Sequence, residues 1–472
     1  MVALDTLAWG GLIPSRQSGG DLATALRRLD ALRALRRARP ALPLMAFSSI
    51  QRVSREDDDG EEPAYFRSHG RRIFRRSVLE HRAAAGALAD DEPAELARLR
   101  TEVPAEVWDD VLATRGRTHA VNRAALDLVA EGVIDTLVLN QDDTTTWGLN
   151  VQDRARLEEE VRRRGLGGRV LVYPGADEVA QVLIARLAAR VHGLRPKVAT
   201  AFSARRGADV QTAYEDRPLG DLVAIHLRAA GAVAAPPPLA PDWWLAVNAP
   251  SRAQGQGGLA FSLRHDDQGL IGAEQRGWIE ASEAAVRGLD RPLEAFVDAI
   301  DVLTGEGARV GLADVAHVNG ADDELMSELD AAGLLPRLVG YGGWNTAGNA
   351  LGSAVALGCI ACIAGHADGG VGPAHALAVA ARYVDDWLYQ TRVRSRLLLR
   401  PELHPLGLGG FIPASDLDAV AALACAWLDE EVGGRGWPYR VERLALPWQR
   451  VFEIDVDLVR RDPRSPAAGV SA

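Results

Sequence analysis

Lysine is almost missing from this chain. Of its 53 basic residues only Lys197 is a lysine, and the rest are arginines. Such usage reads as GC-rich coding bias. The formal net charge of −11 leaves no basic surplus, which argues against a nucleic-acid-binding face. Cysteine is equally scarce. Three residues, Cys359, Cys362 and Cys425, make no disulfide framework in 472 residues and point to a reducing compartment. Cys359 and Cys362 form a C-x-x-C inside "GSAVALGCIACIAG", a helical small-residue run. No second pair completes a zinc site, so the pair reads as packing. There is no charged n-region followed by an apolar h-region, which makes the cytoplasm the expected location. No uninterrupted apolar stretch reaches 18 residues, so no membrane span is expected. A P-loop lysine motif and a G-x-G-x-x-G after a strand are both missing, so no nucleotide cofactor is indicated. The same is true of a Cys/His nucleophile pair.

What is present is an alternation of short apolar runs and helical patterns. The runs are "VALDTLA" at 2–8, "LPLMAFSSI" at 42–50, "TLVLNQD" at 136–142, "RVLVYPG" at 169–175, "KVATAFS" at 197–203, "WWLAVNAP" at 243–250, "RVGLADVAH" at 309–317 and "RLVGYGGWN" at 337–345. Their continuous apolar character fits parallel strands buried on both faces. Helical spacing recurs over 21–38, 152–165, 178–192, 279–304 and 322–334. The expected fold is therefore α/β with a parallel sheet. Eight strands favour a (β/α)8-barrel-like core, and two doubly wound Rossmann-like units are the alternative. The core spans 1–397 and closes with a long helix at 371–397. A charged segment at 52–117, opening with "REDDDGEEP", reads as a partly mobile insertion. Residues 403–465 read as a small α+β appendage.

In parallel α/β folds ligands gather at the carboxyl ends of strands, and here nearly every such end is polar. Asp5 and Arg16 follow the first run. Asn140, Gln141, Asp142 and Asp143 end the third, and Asp177 and Glu178 follow the fourth. Asn248 ends the sixth. Asp314 and Asn319 follow the seventh, and Trp344, Asn345 and Asn349 the eighth. Asp177 and Asp322 each head a helix and are also read as N-caps. Carboxylates, amides, arginines and indoles together suit a polyhydroxylated, sugar-like small molecule. Glycoside hydrolysis needs two carboxyl groups, an acid and a nucleophile or base. The catalytic candidates are thus Asp142, Asp143, Asp177 and Glu178, with Glu178 as the acid. The substrate-binding candidates are Asp5, Arg16, Asn248, Asp314, Asn319, Trp344, Asn345, Asn349 and Arg382. No cofactor is required by this chemistry. Two alternatives stay open. One is a hydrolase holding Mg or Mn on Asp5, Asp142, Asp143 and Asp314, with His226 and His317 as possible additions. The other is a carbohydrate-binding protein without catalysis. Neither a membrane nor a nucleic-acid partner is expected, and the sequence leaves the oligomeric state open.

The "GADE" at 175–178 is similar to the G-G-D-E of the hexosaminidase barrels, in which the Glu is the acid and the Asp orients a substrate amide. More broadly, "LDTLAWGGLIPSR", "QDDTTTWGLN", "YPGADEV", "ADVAHVNGADDELM", "YGGWNTAGNALG" and "RYVDDWLYQTRVR" resemble, in order and spacing, a bacterial family called domain of unknown function 4127, over residues 2–395. The resemblance places the family's recurring polar positions on all the candidates named above, and adds Asp322, Asp385, Tyr389 and Arg392. It implies no established reaction. Members usually carry an upstream strand ending in P-L-D-x-R-P, which this chain lacks. That departure predicts an open apolar strand edge and a ninth strand in the family.

Overall fold

The computed structural model describes residues 1–472 except 58–59, 143, 213–214, 237, 250–291, 318, 368–369, 399–411 and 462–472. Its nine described parallel strands form two open sheets, with no barrel among the described residues. The first sheet holds β1 (Val2–Ala3), β2 (Met45–Ile50), β3 (Thr136–Gln141) and β4 (Val170–Pro174), side by side in that order. The second holds β5 (Lys197–Phe202), β6 (Val233–Ala234), β7 (Trp243–Asn248), β8 (Val310–Asp314) and β9 (Leu338–Gly342), in the order β6-β5-β7-β8-β9. Every pairing in both sheets is parallel. The order in the second sheet reverses between β5 and β7, as in doubly wound folds. The fold is α/β, and the two-sheet reading replaces the barrel.

Side-chain alternation explains why the sheets are covered on both faces. On β3, Leu137 and Leu139 pack with Leu29, Val121 and Leu157 from the helices Leu22–Ala38, Ala105–Ala130 and Leu149–Arg163. Val138, between them, points to the other face and joins Val179, Val182 and Leu183 of the helix Val179–His192. That same cluster continues through Leu245 and Val247 of β7 and through Leu351, Val355 and Cys359 of the helix Ala347–Ala367. One core therefore runs from sheet to sheet, and this central helix lies within it. The helix is apolar all round because it is enclosed; it is the one described helix long and apolar enough to cross a membrane, and most of it is buried inside the protein. Cys359 and Cys362 are buried free thiols on it, and burial pushes both above the usual thiol range.

The central helix approaches β9 closely because glycines face it. A Cβ on Gly342 would sit 2.2 Å from the Ala350 carbonyl oxygen, and one on Gly340 would sit 2.8 Å from that of Ala354. On the helix itself, a Cβ on Gly352 would lie 2.0 Å from Glu178 Cγ, and one on Gly358 would lie 2.6 Å from the Trp243 ring.

Two segments differ from the sequence reading. The run 2–8 is a strand for only two residues and a helix from Leu4 to Trp9. The charged stretch is not a loose insertion: it holds the helices Phe66–Ala84 and Glu92–Glu102 and begins Ala105–Ala130. Arg115 fixes it to the first sheet by donating to the Gln51 and Arg52 carbonyls and to Asp153. The expected helix at 371–397 is Pro373–Arg382 and Arg394–Leu398 joined by π-helical turns at Tyr383–Val393. The C-terminal unit is the helix Leu417–Gly434 and an antiparallel hairpin, β10 (Tyr439–Ala445) and β11 (Asp455–Arg460).

Candidate functional site

A cleft of about 1150 Å³ opens at the carboxyl ends of strands from both sheets. One wall carries Arg16, Arg52, Gln141, Asp142 and Asp177 from the first sheet's loops, with Glu61 and Glu62 from the charged segment. The other carries Asn319, Trp344 and Asn345 from the loops after β8 and β9, Asn349 from the first turn of the central helix, Gln390 and Thr391 from the π-helical stretch, and Arg394 from the start of the helix after it. The loop between β10 and β11 forms the rim with Trp448, Arg450, Phe452 and Glu453.

The first wall is an ion-pair network. Arg16 is buried and ion-pairs with Asp142, Glu61 and Glu62, while its Nε donates to Gln51. Arg52 pairs with the same two glutamates. Strand β3 thus ends in Asp142 because Arg16 awaits it there. Burial raises the Glu62 carboxyl above its usual range, although Arg16 and Arg52 pull it down. Thr145 donates onward to the Trp147 carbonyl and Asn150, closing the turn into the helix at Leu149. Asp143 lies outside the described residues.

The second wall is held by amides. Asn345 Nδ2 and Asn349 Nδ2 both donate to Asp177 Oδ2, at 2.8 and 2.9 Å, and the Ala176 N–H donates to Asn349 Oδ1. These bonds tie the end of β4 to the loop after β9, across the two sheets. Asn319 and Asn345 adopt left-handed φ values of 63° and 67°, and the Asn319 N–H donates to the Asn345 carbonyl. The third described non-glycine residue with positive φ, Gln449 at 54°, sits between Trp448 and Arg450 on the rim. The described non-glycine residues with positive φ therefore lie on this cleft or in its rim loop, and such backbone conformations gather at functional sites.

The rim loop is pinned from both sides. Tyr389 donates to the Val451 carbonyl and Gln390 to the Phe452 carbonyl. Arg450 bonds Glu453 and reaches Glu61 of the charged segment. Phe452 packs on Trp344 at 5.3 Å between ring centres, and Trp448 stays 50% exposed at the mouth. Burial also raises the Glu453 carboxyl, against the pull of Arg450.

Of the residues expected from sequence, Arg16, Asp142, Asp177, Asn319, Trp344, Asn345 and Asn349 line the cleft. Asp5, Glu178, Asn248, Asp314 and Arg382 do not; they brace its walls from behind. Asp5 is buried, accepts the Ser49 N–H, and is pushed up to about 6 by burial. Asn248 donates to Asp314 and Asp322, and Asp314 also accepts the Asp322 N–H. Asp322 accepts from the Leu325 N–H as the expected N-cap. Arg382 pairs with Asp385 and Asp386, and Asp386 accepts the Gly343 N–H, which sets the loop bearing Trp344. Glu178 is 1% exposed and faces His226 Nε2 at 3.4 Å, beneath the central helix. Beside it Glu215 accepts the Gly348 N–H and is pushed up to about 7, chiefly by burial. His226 Nδ1 bonds the Leu222 carbonyl, so this histidine is a core group. Glu178, expected to be the acid, therefore lies behind the cleft wall and not on its lining. The set Asp5, Asp142 and Asp314 is not brought together either, and no group of three His, Cys, Asp or Glu suited to a metal occurs among the described residues.

The sequence reading missed Glu61, Glu62, Gln390, Thr391, Arg394 and the rim loop. The signal for the rim was "PWQRVFE", an aromatic and charged break between two strands of the appendage.

A family model described as "Protein of unknown function (DUF4127)" matches residues 1–457, which takes in the rim loop as well as both sheets. No curated protein and no solved structure matches the chain.

Proposed function

The chain belongs to this family, DUF4127, and from its cleft we propose a glycoside hydrolase or related carbohydrate-active enzyme. The ligand is a sugar-like small molecule. The observation that carries the reading is the lining itself: indole and phenyl rings, paired amides and several carboxyl groups on one cleft between strand ends. Apolar sugar faces stack on rings such as Trp448, and hydroxyls bond amides and carboxylates. Asp142 and Asp177 come from adjacent strands, β3 and β4, and serve as base, nucleophile or hydroxyl clamp. Glu453 replaces Glu178 as the acid, because burial favours its protonated form.

The test is hydrolysis of a broad panel of aryl glycosides by the purified protein, with and without chelator. Chelator-insensitive turnover of one glycoside is expected. Glu453→Gln is expected to slow glycosides with poor leaving groups most, since those need protonation. Silence across the panel, or a Glu453→Gln effect independent of the leaving group, removes this reading.

A further inference from the structure

One cation on the cleft meets no carboxylate among the described residues. Arg394 lines it and is 7% exposed. Its guanidinium donates to two neutral acceptors, Gln390 Oε1 at 2.6 Å and the Asn319 carbonyl at 3.0 Å, and lies 5.2 Å from the centre of the Phe452 ring. No carboxylate lies within ion-pair distance of it among the described residues. The neighbouring carboxyl groups are committed elsewhere. Glu453 bonds Arg450, and Asp385 bonds Arg382 and Gln390. The other wall is the contrast, since Arg16 and Arg52 are both paired there with carboxylates.

A buried charge without a carboxylate in contact is costly, and Arg394 bears part of that cost: burial pulls it below the usual arginine range, although Tyr389, Glu453 and Asp385 pull it up. Holding the Asn319 loop needs only neutral donors, so these two bonds do not account for a full charge. The group lines the cavity, its two terminal nitrogens are fixed by Gln390 and Asn319, and the cavity has room for a counter-ion beside it. Forked guanidinium recognition suits planar or tetrahedral oxyanions.

We infer that Arg394 seats an anionic group of the cleft's ligand, a carboxylate, phosphate or sulfate. The inference rests on the proposed function for the remainder of that ligand, and names its class: an acidic sugar or a sugar ester of a mineral acid, not a neutral glycoside. Gln390 and Phe452 fix the seat, and Asn319 joins it to the strained loop that also holds Asn345.

Calorimetric titration at constant ionic strength tests this, with sodium phosphate, sodium sulfate, glucuronate, glucose 6-phosphate and methyl glucoside as probes. At least one sugar anion is expected to bind about tenfold or more tighter than methyl glucoside, as a charge-assisted bond implies. Arg394→Gln is expected to close that gap. Arg394→Lys, which keeps the charge without the fork, is expected to leave part of it. Phosphate or sulfate binding that depends on Arg394, with no gain from a sugar, keeps the anion seat and sinks the carbohydrate reading. Methyl glucoside binding as tightly as the anions keeps the carbohydrate reading and overturns the seat. No binding of any anion overturns the seat as well. The comparison of probes on the unaltered protein decides the matter even where Arg394→Gln does not fold.

Discussion

Two neighbouring residues, Asp177 and Glu178, have opposite surroundings. Asp177 is exposed on the cleft, with Asn345 and Asn349 fixing one of its oxygens. Glu178 is enclosed with His226, Glu215 and the ring of Tyr173, which meets His226 edge-on. Exchange at each site should therefore separate chemistry from architecture. Asp177→Asn is expected to lower kcat on the responsive glycoside by about 10²–10⁴-fold, the usual worth of a positioned acid or base, without moving the melting temperature. Glu178→Gln keeps the shape and can donate to His226 Nε2, so its kcat should stay within a few-fold of the parent. Steady-state kinetics on both variants decide this. Full activity in Asp177→Asn, or none in a folded Glu178→Gln, would reverse the assignment. From sequence both carboxylates read as catalytic candidates, because a strand end does not reveal which of two successive side chains the next helix will cover.

At the scale of elements, the central helix owes its position to glycine. Gly352 lies in the helix interior, where alanine ordinarily improves stability by about 1 kcal/mol. Here the added Cβ meets Glu178 Cγ at 2.0 Å and Glu178 Cβ and His226 Cδ2 at 3.0 Å. Gly352→Ala is thus expected to destabilise by about 1–3 kcal/mol, as overpacking does. In a Glu178→Ala background the same change should cost much less, since the first collision is gone. Urea unfolding of the four proteins gives the coupling; additive effects would show that Glu178 does not set the distance. The elements themselves were largely legible: seven of the eight apolar runs contain a full strand close to the expected limits. The exception, at 2–8, is too short for periodicity to separate strand from helix. The barrel expectation failed for another reason. A β/α alternation is the same in one closed sheet and in two open ones, and the difference lies in β4 not pairing with β5. That choice is made by the central helix, which lies more than 140 residues further along the chain and whose packing on Val179–His192 no local pattern announces.

For the molecule as a whole, distance along the chain limits what the sequence discloses. Arg450 bonds Glu61, 389 residues away, and Arg16 meets Asp142 over 126. Read locally, Glu61 and Glu62 belong to a solvated charge run, and the structure makes them part of a cleft wall. The same folding buries acids throughout, which fixes the pH response. Burial raises Asp5 to about 6 and Glu215 to about 7, and raises Asp314 and Asp386 as well. A carboxyl whose folded value exceeds its unfolded one favours folding below the unfolded value. That advantage is lost as pH rises through the folded value. For Glu215 the loss runs from 4.5 to about 7. Surface acids act in the other direction: Arg33 holds Glu131, and Arg100 holds Glu80, below the ordinary range. Their contribution is present above the unfolded value and disappears only in stronger acid. His81 and His119, held below the ordinary imidazole range by burial, favour folding as pH rises and so oppose the raised acids; with four buried acids raised, stability is expected to decline from mildly acidic pH toward pH 8. Glu215→Gln retains an acceptor for the Gly348 N–H and removes one titration. Its melting temperature should therefore vary less than the parent's between pH 5 and 8. Scanning calorimetry across that interval reads both slopes. A parent protein that gains stability steadily up to pH 8, or a Glu215→Gln curve parallel to it, would mean that these buried acids are charged in the folded state after all.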